Sequence, residues 1–142
     1  EFDSTLTAMA DWLVAEFGLP APTYLTSVVL MPREHLLSPN GGPAQAAVET
    51  HARPAAAYDP ARGEIRLPLG WTGATPRDLS LLAHEMVHHI ENMAGVTFAC
   101  PAERERLAYA AQDKWLGAHG GSLGRDFGIN PLFLLFATTC MP

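Results

Sequence analysis

Charge is scarce in this chain. Of 142 residues, 17% are charged, with nine Lys and Arg against fifteen Asp and Glu, a formal net charge of −6. A balance that acidic leaves no basic face for a phosphate backbone and argues against a nucleic-acid binder. Long apolar runs are missing too: the longest, Leu132 to Ala137, falls far short of the roughly 20 residues that cross a bilayer, so no transmembrane segment is expected. Cysteine is nearly absent. Cys100 and Cys140 stand alone, and neither belongs to a Cys-x-x-Cys pair, so a Cys-based zinc site is not expected. Each flanks a predicted helix, and an even pair suits one disulfide in an exported protein, two buried free thiols being the alternative. No internal repeat is visible.

Hydrophobic residues, by contrast, make up 48% of the chain, which excludes a disordered tail. The length suits one domain over residues 1–142, able to bury a core without help from metals or many disulfides. The chain opens at Glu1 and not at Met. A removed signal peptide or a removed tag would leave such a start, and Glu1-Phe2 is set aside from the fold reasoning. With the cysteine pair, a removed signal peptide would suit a periplasmic or secreted location, a cytoplasmic one being the alternative. Six His in so small a chain is the odd figure.

Apolar residues at Leu6, Met9, Ala10, Leu13 and Phe17 predict an amphipathic helix over residues 4–17, stopped by Gly18 and Pro20. Tyr24 to Met31 is rich in β-branched residues and reads as a strand. Pro32 to Thr50 contains Ser38-Pro39-Asn40-Gly41-Gly42-Pro43 and reads as a loop. Ala55 to Tyr58 and Glu64 to Leu67 flank the turn sequence Asp59-Pro60-Ala61-Arg62-Gly63, which predicts a hairpin, with Pro68 confining the second strand's end to an edge. Thr75-Pro76-Arg77-Asp78 announces a helix to about Met93, with Thr75 as cap and Asp78 completing a capping-box-like pair. Pro101 opens another to about Leu116. Gly121 to Gly128 reads as a loop, and Asn130-Pro131 starts a short apolar helix toward Cys140.

The chemistry lies in His84-Glu85-Met86-Val87-His88, an HExxH motif. Residues i and i+4 lie one above the other on a helix, so both imidazoles reach one metal ion. Glu85 sits beside them, able to take a proton from a metal-bound water and hand it to a leaving amine. The motif is short, so its context carries weight. On a helical wheel Leu79, Leu82, Ala83, Met86, Val87, Ile90 and Met93 form one apolar stripe, and His84, His88 and Glu85 fall opposite it. His89 lies at the edge of that stripe and reads as a hydrogen-bonded supporting or core histidine.

A catalytic zinc needs a third protein ligand and an open position. Glu91, Glu103, Glu105, Asp113 and His119 are the candidates downstream. Glu91 shares the motif helix but points away from both His on the wheel. On the next helix, Glu105 falls within the apolar arc of Ala108, Tyr109, Trp115 and Leu116, together with Gln112, while Glu103 falls on the solvent side. A carboxylate in a buried face is costly unless paired or bound to metal, and Arg104 and Arg106 lie on other faces. Glu105 is therefore the preferred third ligand.

These residues resemble the gluzincin metallopeptidases, zincins in which HExxH on one helix and a Glu on a following helix bind zinc. Glu105-Arg106-Leu107-Ala108 is similar to the Glu-x-x-Ala of small bacterial gluzincins, including the ImmA/IrrE-type peptidases and the minigluzincins. Tyr109 departs from the Asn or Asp common after that Ala in the ImmA/IrrE type, and no helix-turn-helix segment is attached. The resemblance spans Ala55 to Leu116. It implies an α+β, zincin-like fold, with an active-site helix and a glutamate-bearing helix packed on a small β-sheet, here with an extra N-terminal helix. It also implies one zinc ion held by His84, His88 and Glu105, and hydrolysis of a peptide or protein substrate with Glu85 as general base. Family members lay substrate along an edge strand above the cleft, for which Glu64 to Leu67 is the candidate here. Such peptidases often stabilise the oxyanion with a Tyr or His, and Tyr58, Tyr109 and His119 all remain open. The competing reading is a zinc-binding domain, non-enzymatic or latent, that binds a protein partner.

Overall fold

The computed structural model describes residues 2–37, 45–50 and 53–141, with the backbone alone at 45–50 and 53. Helix α1 (Asp3–Phe17) buries Leu6, Met9, Ala10 and Leu13, the stripe its periodicity predicts. Gly18 ends it at φ 65°, a left-handed conformation that favours glycine. Strand β1 (Ser27–Met31) follows, then a short 3-10 turn at Arg33–His35. Strands β2 (Gln45–Thr50), β3 (Arg53–Asp59) and β4 (Glu64–Pro68) come next. Helices α2 (Pro76–Met93), α3 (Pro101–Ala118), α4 (Leu123–Phe127) and α5 (Pro131–Thr138) complete the chain. The architecture is α+β.

The four strands form one mixed sheet in the order β1-β4-β3-β2. β3 and β4 are the expected hairpin. Asp59 shapes its turn, its Oδ1 accepting from the backbone N–H of Ala61 at 3.0 Å and of Arg62 at 3.3 Å. Gly63 closes the turn at φ 61°. β1 pairs with β4 in parallel, while β2 and β4 flank β3 antiparallel.

Three expectations need correction. Glu64 to Leu67 is not an edge: β4 is hydrogen-bonded on both sides, so its backbone cannot accept a further strand, and β1 and β2 are the outer strands. Gln45–Thr50 is a strand and not part of a loop. Its alanines have little β preference, and pairing with β3 makes the strand. The Ser38-to-Pro43 stretch of that loop lies outside the described residues, as does His51. Within the Gly121 to Gly128 loop sits α4, held by Ser122 Oγ accepting from the N–H of Arg125 and by burial of Leu123 and Phe127.

Thr75 caps α2 as its sequence predicts, but the capping-box-like pair with Asp78 is not completed. Thr75 Oγ1 accepts from the N–H of Asp78 at 3.0 Å, with Pro76 in the first turn. Asp78 does not return the bond; its Oδ2 accepts from the N–H of Thr72 at 2.9 Å and of Gly73 at 3.1 Å. α2 packs on the sheet and on α3, and also touches α1. In consequence every residue from Ser80 to Glu91 is buried, polar ones included. Alanines at 55 and 56 keep β3 thin beneath the helix, with Tyr58, Ile65 and Leu67 joining the same core. On β4, Arg66 is fully buried, paired with Asp59 at 2.6 Å and Glu64 at 3.1 Å and donating to the Leu36 carbonyl. α5 lies against α3, and a Cys100–Cys140 disulfide joins the start of α3 to the chain just after α5.

Candidate metal centre

His84 and His88 lie one turn apart on α2 and face Glu105 near the start of α3. His84 Nε2 is 2.9 Å from Glu105 Oε1, and His88 Nε2 is 3.3 Å from Glu105 Oε2. One ligand atom from each residue lies within 4.8 Å of the others, a spacing that could hold a metal ion. Both imidazoles are buried, and the carboxylate is mostly so.

The donor chemistry fits a cation. Gln112 Oε1 lies 2.9 Å from His84 Nδ1, and a carbonyl oxygen there holds the ring proton on Nδ1. The neutral ring then presents the lone pair of Nε2 to a carboxylate oxygen. Two acceptors at 2.9 Å repel unless a cation lies between them or the ring is doubly protonated. Two imidazoles and one carboxylate are also the donor set of known catalytic zinc sites.

Electrostatics separate the groups. Burial pushes the Glu105 carboxyl up, but with no ion between them and the rings carrying protons toward it, hydrogen bonds and charge from His84 and His88 overcome this and hold Glu105 well below the usual carboxylate range. Glu85 is raised well above that range, by burial first and by repulsion from Glu105 second. Neither of its carboxyl oxygens, both buried, has a hydrogen-bond partner among the described residues. His88 is lowered because burial outweighs its pairing with Glu105.

Behind His88 stands a second polar group. His89 is fully buried. Its Nε2 donates to the Tyr24 carbonyl at 2.9 Å, which leaves Nδ1 to accept from the Tyr58 hydroxyl at 2.9 Å. Asn92 Nδ2 donates to the same hydroxyl at 3.0 Å. Tyr58 also stacks on His88, with ring centroids 6.5 Å apart.

Of the other sequence candidates, Tyr109 and Glu91 stay beside the cluster, and His119, Glu103 and Asp113 do not. Tyr109 packs edge-on against His84 at 4.6 Å. His119 caps the far end of α3, its Nδ1 on the Trp115 carbonyl at 2.8 Å; fourteen residues beyond Glu105, it stands about 20 Å along the helix from the cluster. Glu103 accepts from the N–H of Ala99, and Asp113 from that of Leu123. Glu91 does not point away from both His: three residues after His88 and seven after His84, it shares their side of α2, is buried and lines a cavity together with His88. Gln112 is the partner that sequence reasoning left without a role, although its place seven residues after Glu105 puts both on one face of α3.

Fold and site together define an α+β chain with a buried cluster of two histidines and one glutamate on neighbouring helices. The chain belongs to the family described as a domain of unknown function, DUF6647, which matches residues 2–142. No curated protein and no solved structure matches it.

Proposed function

We propose that the chain is a zinc-dependent metallopeptidase of zincin-like fold. The observation that carries this reading is the convergence of His84, His88 and Glu105 within 4.8 Å, with the unpartnered, buried carboxyl of Glu85 on the same helix. A zinc ion supplies Lewis acidity at such a donor set, polarising a carbonyl and acidifying water. His84 and His88, through Nε2, and Glu105, from α3, would hold the ion. Gln112 keeps the His84 ring in the tautomer this requires. Glu85 takes the proton of the attacking water on a carboxyl oxygen and delivers it to the leaving amine. Both oxygens of that carboxyl are buried and carry no hydrogen bond among the described residues, which leaves them open to the proton. The Cys100–Cys140 disulfide supports an exported, periplasmic or secreted location.

The test is Glu85→Gln. The variant should bind one zinc ion as wild type does and lose peptide hydrolysis by about 10²-fold or more. A variant as active as wild type on a peptide library contradicts the mechanism.

A further inference from the structure

His88, Glu91 and Asn92 stand three and four residues apart on α2 and form one strip leading away from the donor cluster. A cavity of about 70 Å³ lies along this strip. A water needs roughly 10–15 Å³ of such space, so the cavity suits one side chain and not a length of peptide. Pro60, Val96 and Phe98 give it apolar walls, and Arg104 from the first turn of α3 also lines it.

Glu91 is the anomaly here. It is 7% exposed, and its Oε1 is buried without a hydrogen-bond partner among the described residues. A carboxyl oxygen in that position loses hydration and gains no hydrogen bond in its place. It stands in the last turn of α2, which carries no basic residue, where the helix dipole adds partial negative charge. Burial first and repulsion from Glu105 second lift Glu91 to about 7, and the positive charge of Arg104 offsets only part of this. The cavity thus offers apolar walls and, beside the cluster, a buried acceptor that lacks a donor.

We propose that this cavity is a substrate subsite for a long basic side chain, lysine or arginine, whose cationic group donates to the Glu91 carboxyl. The apolar walls match the alkyl stem of such a side chain. The net charge of −6 favours approach of basic peptides. Calling the ligand a substrate rests on the peptidase reading; the binding itself does not require hydrolysis.

The experiment follows binding to the purified protein by amide NMR at pH 8, with three probes: Nα-acetyl-lysine amide, Nα-acetyl-norleucine amide, and alanine amide with its free amino terminus. The lysine probe should shift the signals of Asn92, Val96 and Phe98 and bind about tenfold or more tighter than norleucine, which lacks the charge. Glu91→Gln should abolish that preference. Equal affinity for lysine and norleucine in wild type overturns the proposal, with no need of a variant. So does a preference that survives Glu91→Gln. Alanine amide binding as tightly as the lysine probe makes the peptide amino terminus the occupant and overturns the side-chain assignment. Peptide hydrolysis is assayed separately: a retained lysine preference with no cleavage of any peptide would sink the peptidase reading and leave the subsite standing.

Discussion

Gln112 on α3 and His84 on α2 are joined at 2.9 Å behind the donor cluster, carbonyl oxygen to Nδ1. Gln112 is fully buried, so this contact aims the imidazole and fixes which nitrogen faces Glu105. Gln112→Leu keeps the approximate volume and removes the acceptor. Zinc affinity, measured by competition with a chromophoric chelator, should fall by about 10- to 100-fold while the helical circular-dichroism signal stays. Unchanged affinity would reduce the contact to packing.

Tyr58 is close to His88, yet its hydroxyl is engaged. It donates to His89 and accepts from Asn92, so it has no proton left for an oxyanion. Tyr58→Phe should therefore lower peptide hydrolysis less than about tenfold, against the roughly 10²- to 10³-fold loss of an oxyanion donor. Its main effect should be on stability, a loss of about 1–3 kcal/mol by denaturant unfolding, because His89 Nδ1 is left buried and unpaired. A hydrolysis defect of 10²-fold or more with stability intact would return Tyr58 to the chemistry.

The Cys100–Cys140 disulfide closes a loop with a sequence separation of 40, containing all of α3, α4 and α5. Loop-closure entropy assigns it about 4 kcal/mol. Cys100→Ser with Cys140→Ser should lower unfolding stability by that order. Because Cys100 precedes α3 by one residue, the start of the helix that carries Glu105 should loosen as well. Hydrogen exchange at residues 101–106 should rise in the double variant more than at the middle of α2. Uniform protection across both helices would contradict this coupling.

Much of the site was legible because helices repeat locally. The i, i+4 spacing of His84 and His88, and the place of Glu105 and Gln112 on one arc of α3, follow from about 100° per residue and need no knowledge of the fold. Cap chemistry likewise marked Thr75-Pro76 and Asn130-Pro131. What escaped depends on partners distant in sequence. Nothing in Glu64 to Pro68 announces that β1, more than thirty residues earlier, pairs alongside it and makes it an inner strand. Nor does a helical wheel tell that the Val96–Phe98 connection and Arg104 enclose Glu91. His119 is a candidate by residue type alone, and chain direction carries it along α3 away from the cluster.

The central claim is that His84, His88 and Glu105 hold one metal ion. The most direct measurement is zinc titration of the metal-stripped protein against a chromophoric chelator, for wild type, His88→Ala and Glu105→Ala. Wild type should bind one zinc per chain, and neither variant should bind it with comparable affinity. A wild-type chain that takes up no zinc, or variants that bind it as tightly as wild type, would contradict it.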